Sequence, residues 1–118
     1  MTQRIIPQPD PSLAPDRART TAYAASLVAK ATAGVLYGVS GYNSGVAAQF
    51  IQIHDSATLP ADGAVPAEVI TVPPSSNFSI DFGAYGCGFG NGITVCNSST
   101  GPTKTIGAAN CWFSVRMK

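Results

Sequence analysis

Residues 34–55 read GVLYGVSGYNSGVAAQFIQIHD, two runs rich in β-branched and aromatic residues joined through Asn43, Ser44 and Gly45. Glycine and asparagine accept the positive φ of a tight reversal, so the spacing predicts a hairpin that pairs residues 35–42 with residues 46–54. In the second run Phe50, Ile51 and Ile53 alternate to both sides. Both faces of that strand therefore need cover, inside a sandwich or between a sandwich and a partner.

The sequence on either side has the same grain. Residues 76–83 put Phe78, Ile80 and Phe82 on one side and Asn77, Ser79 and Asp81 on the other. Residues 110–117 set Cys111, Phe113, Val115 and Met117 against Trp112, Ser114 and Arg116. Residues 67–72, 93–97 and 103–106 read as further short strands, and the glycine-rich residues 83–92 as a turning connection. Residues 21–30 suit a helix by their alanines and a strand by alternation of Tyr23, Ala25 and Leu27 with Ser26 and Lys30. The strand reading is taken, because everything after it is β. Turn signals at roughly 8–12-residue spacing predict one antiparallel β-sandwich, jelly-roll-like, over residues 21–118. Residues 1–20 carry prolines 7, 9, 11 and 15 and read as an extended polyproline arm. Such an arm is either disordered or laid along another subunit; Ile5, Ile6 and Leu13 would anchor it.

Only 11% of the 118 residues are charged, against about a quarter in an ordinary globular domain. That predicts a surface partly hidden by other copies or other proteins. The net charge of +1 gives no reason to expect nucleic acid or an anionic membrane. All seven basic residues lie in the first 30 or last 15 positions, while residues 31–103 hold only Asp55, Asp62, Glu68 and Asp81 as charges. No stretch approaches the roughly 20 apolar residues of a membrane-spanning helix.

The search for chemistry finds little. His54 and Asp55 are the one base–orienter pair, with Ser56 beside them, but adjacent strand residues point to opposite faces and cannot form a triad with each other. A histidine tucked at the sheet end and an aspartate capping a turn account for the pair. Cys87, Cys96 and Cys111 have no metal-ligand spacing and read as reduced thiols. GAYGCGFGNG superficially resembles a phosphate loop, yet no helix follows to complete one. No enzyme, cofactor or metal is expected. Tyr23, Tyr37, Tyr42 and Trp112 are the aromatic candidates for a partner interface, with packing as the plainer reading.

The segments LYGVSGYNS, LPADGAVP and NSSTGPTKTIGAANCWF, set within residues 20–117, resemble a family of small bacteriophage virion structural proteins. The resemblance implies a β-sandwich that decorates a capsid as a cement protein. Its partners would be the major capsid protein or other virion proteins, and it would be found in the virion. Low charge and jelly-roll habit add the expectation of a homotrimer. The alternative is a tail, neck or baseplate module that binds a host receptor or glycan through Tyr42, Asn43 and the loop around Asp62.

Overall fold

Alternation becomes structure in nine strands, in a computed structural model that describes residues 14–118. They are β1 (Asp16–Arg19), β2 (Ser26–Lys30), β3 (Gly34–Asn43), β4 (Gln49–His54), β5 (Glu68–Val72), β6 (Ser76–Asp81), β7 (Cys87–Phe89), β8 (Ile93–Ser98) and β9 (Cys111–Met117). All pairings are antiparallel, and the described residues contain no helix. One sheet runs β1-β9-β3-β6, with β7 also on β3; the other runs β2-β8-β4-β5. The two pack as a β-sandwich, as the patterning predicts. The anchors Ile5, Ile6 and Leu13 lie outside the described residues.

The core forms where the inner faces meet. Leu36, Val39, Phe113 and Val115 of the first sheet close on Ile51, Ile53, Ile93 and Val95 of the second, all fully buried. Burial of each such side chain is worth about 1.5–3 kcal/mol. Phe78 and Phe113 sit on either side of Gly41 in register, with ring centroids 6.2 Å apart. A Cβ on Gly41 would run into the Trp112 carbonyl and the Phe78 ring. Only glycine at this position lets the two rings approach across the strand.

The expected hairpin at residues 43–45 does not form. β3 already has β9 on one side and β6 and β7 on the other, so no ladder is left for β4, which pairs with β5 and β8 instead. The connection is a corner between sheets, held by the buried Asn43. Its Oδ1 accepts from the Gly45 N–H at 2.9 Å. Its Nδ2 donates to the carbonyls of Ala47 and Pro73, each at 3.1 Å. None of residues 43–45 has the positive φ expected of a tight reversal, and a turn motif does not itself say which sheet receives the next strand.

Three boundaries also move. Asp16–Arg19, read from sequence as the end of the arm, is strand β1 on β9. The glycine-rich connection contains the short strand β7. Residues 103–106 reduce to one bridge, Ile106 to Ser98. Residues 21–30 do hold a strand, Ser26–Lys30.

Asn43→Ala strips the corner of three hydrogen bonds. A buried polar group left unpaired costs about 1–3 kcal/mol, so urea titration should show a loss of at least about 2 kcal/mol. Asn77→Ala, exposed on the first sheet, should change stability by less than about 0.5 kcal/mol.

Candidate functional site

The two outer faces of the sandwich are treated in opposite ways. That of the second sheet is polar but shut. Every residue of β8 is buried, and so are Gln52 and His54 of β4. Register puts Gln52 beside Cys96 and His54 beside Thr94 on the face away from the core. The segment after β8 folds back over them. Gln52 Nε2 lies 2.8–3.1 Å from the carbonyls of Thr100, Gly101 and Thr103. That fixes the amide orientation, so Gln52 Oε1 must accept at 3.0 Å from His54 Nε2, which therefore carries the imidazole proton. Ser98 Oγ donates to Thr100 O and accepts from the Thr105 N–H. Lys104, 3% exposed, reaches Asp62 at 2.7 Å, the one ion pair among the described residues.

Burial, then the nearby Lys104 ammonium, pushes the His54 pKa down from its ordinary 6.5. The hydrogen bond from Lys104 holds the Asp62 carboxyl below its usual value. Asp55 is also depressed, because the successive N–H groups of Gly90, Asn91 and Gly92 donate to it at 2.8–3.3 Å. The glycine loop does hold an anion, and the anion is the chain's own carboxylate. His54 and Asp55 thus serve the fold, and they do not form a catalytic pair.

Among the described residues, the outer face of the first sheet is open. Its register builds three rungs: Asn77–Tyr42–Trp112, then Ser79–Ser40–Ser114–Arg19, then Asp81–Gly38–Arg116–Arg17. A hollow of about 350 Å³ lies beside the aromatic rung, lined by Arg19, Thr20, Thr21, Ala22, Tyr23 and Trp112. Tyr23 is 54% and Trp112 37% exposed. A second hollow of about 420 Å³ at the charged end has Tyr37, Asp81 and Arg116 in its walls. The Arg116 guanidinium lies across Gly38, where a Cβ would displace it.

All four aromatic candidates therefore belong to this side: Tyr42 and Trp112 on one rung, Tyr23 beside them, and Tyr37 at the charged end. Tyr42, Asn43 and Asp62 are not brought together. Asn43 is buried in the corner, and Asp62 is locked to Lys104 over the other sheet. The sequence reading missed Arg17, Arg19 and Arg116, whose grouping depends on β1 pairing with β9. Comparison with known proteins finds no matching family model, no matching curated protein and no matching solved structure.

Two measurements check the closed face. A folded-state pKa below 6.5 means that the unfolded chain binds the His54 proton first as pH falls, so stability declines once pH drops below 6.5. Asp55 and Asp62, depressed from 3.8, add a separate loss as pH falls below that value. Urea midpoints from pH 7 to 5 should slope downward for the native chain and lie flat for His54→Gln. Burial raises the Cys96 and Cys111 thiols to about 11. A thiol reagent at pH 8 should therefore label Cys87, which is only partly buried, and reach the other two only after denaturation.

Proposed function

We propose that this chain is a non-enzymatic structural protein of a bacteriophage particle, a capsid decoration protein that docks through the outer face of the β1-β9-β3-β6 sheet. One observation carries the docking part. Among the described residues, loops cover one outer face and leave the other open, with Tyr23, Tyr42 and Trp112 grouped at one end. Aromatic side chains flanked by arginine are what protein interfaces concentrate at their centres. The LYGVSGYNS, LPADGAVP and NSSTGPTKTIGAANCWF segments support the particle part, with the major capsid protein as partner and the virion as location. We read the order β1-β9-β3-β6 over β2-β8-β4-β5 as a jelly-roll winding, a form that viral capsid domains use. Fold alone assigns no function; the open face and the sequence segments carry the reading.

The hollow beside Trp112 favours a second reading, a receptor- or glycan-binding module of the tail. An indole wall with Tyr23, Arg19 and threonine hydroxyls around it suits a sugar ring. Densitometry of purified particles separates the two. Shell decoration predicts an amount comparable to the major capsid protein, and a tail module only a small fraction of it. Absence from particles would sink both. On stripped shells, Trp112→Ser with Tyr42→Ser should weaken rebinding at least about tenfold, since central aromatic anchors carry about 2 kcal/mol or more. Unchanged rebinding by a folded double variant would place the interface elsewhere.

A further inference from the structure

A sheet edge is a row of unpaired backbone donors and acceptors, and soluble proteins normally protect each one with charge, proline, a bulge or brevity. Three of the four edges here are protected in this way. β1 has Asp16, Arg17 and Arg19 among its four residues and follows Pro15. β2 has a bulge between Val28 and Lys30 and ends on that lysine. On the far side of β3 the edge is divided between β6, which ends on Asp81, and the three-residue β7. The fourth edge, β5, is the least protected, with its one charge, Glu68, at the end of the strand and its prolines outside it. Its sequence is EVITV, its register with β4 is unbroken, and it contains no proline, lysine or arginine. Among the described residues, no strand lies beyond it, and no loop hydrogen bond uses a backbone group of Glu68–Val72. Val69 is 42% exposed, and Thr71 is exposed beside it on the outer face.

We infer that β5 is a self-association edge, pairing antiparallel with β5 of a second copy about a two-fold axis at Ile70. The occupant follows from the strand's own complementarity. Antiparallel partners share a face, so a register that pairs the whole strand sets Ile70 against Ile70, Val69 against Thr71 and Glu68 against Val72. No like charges meet, because the two Glu68 carboxylates fall at opposite ends. Prolines 66 and 73 bound the strand and limit slippage. Val69 and Thr71 of both copies form a patch of β-branched side chains on the outer face, where such cross-strand neighbours stabilise a ladder. The other three edges are protected, so the contact is isologous and closes at two copies, without growing into a filament. The second sheet becomes eight strands wide, and the first sheet's open face remains free in each copy. The assembly is a dimer, in place of the trimer expected from sequence, and it does not depend on the particle reading.

Equilibrium sedimentation of the full chain, with circular dichroism to confirm folding, tests this. The native protein should sediment as a dimer at micromolar concentration. Val69→Lys with Thr71→Lys puts lysine opposite lysine at both pairs and should raise the dissociation constant at least about tenfold. Val69→Lys with Thr71→Glu puts opposite charges at the same two pairs and should restore the dimer. A native monomer or trimer overturns the inference, as does a dimer indifferent to the double lysine variant. Failure of the Lys–Glu variant to recover overturns the register centred on Ile70.

Discussion

Gln52 holds one side of the molecule shut. Its carboxamide faces the three carbonyls of the segment over β8 on one side and accepts from His54 on the other. Buried polar groups are stable only when nearly all are satisfied. Once this amide stands on the outer face of β4, a loop therefore has to come back and supply acceptors. That loop brings Lys104 under cover, and Lys104 in turn draws in Asp62 from the β4–β5 connection. Two loops far apart in sequence become one lid, so the outer face over β4 and β8 is closed, and exposed side chains of this sheet such as Val28 and Val69 lie on its edge strands.

The first sheet is organised by its central strand. β3 is flanked on both sides, so the chain has to leave the sheet at Asn43, and the buried Asn43 side chain makes the corner. The glycines of β3 have the complementary role. Gly41 clears the inner face for Phe78 and Phe113, and Gly38 clears the outer face for Arg116. Among the described residues no loop lies above it, and the outer face keeps what β1, β3, β6 and β9 present.

Sequence reveals faces better than it reveals neighbours. The alternation in residues 110–117 correctly separates Phe113 and Val115 from Trp112 and Arg116, because a strand's side-chain period is a property of its own backbone. The run QFIQIH correctly asks for cover on both sides, and β4 has it. What could not be read is what provides that cover: the chain's own loop, brought back by a glutamine that looks like any surface glutamine. The hairpin does not form for a related reason, since turn-forming residues do not decide which strand lies alongside. Asp55 reads as a cap for the turn of its own loop, but it caps a loop 35 to 37 residues away. Of the partner-interface residues, the aromatic four gather on one side only because β9 lies between β1 and β3, a long-range choice with no local signal.

Topology also changes what the low charge means. Part of the missing surface charge is explained internally, because a polar sheet face and Lys104 are buried under the chain's own loops. The charges that remain are sorted by the strand order. Arg17 pairs in register with Arg116, and Arg19 lies on the neighbouring rung, so basic residues from the two ends of the sequence meet on the open face. Asp55, Asp62 and Glu68 fall around the other sheet. The open face thus gathers three arginines with Asp81, while Lys30 and Lys104 stay with the other sheet. Docking through this face, as proposed, asks for a partner with apolar surface toward Trp112 and carboxylates toward Arg17 and Arg116. In that proposal the aromatic end would supply affinity by desolvation and the charged end would set orientation.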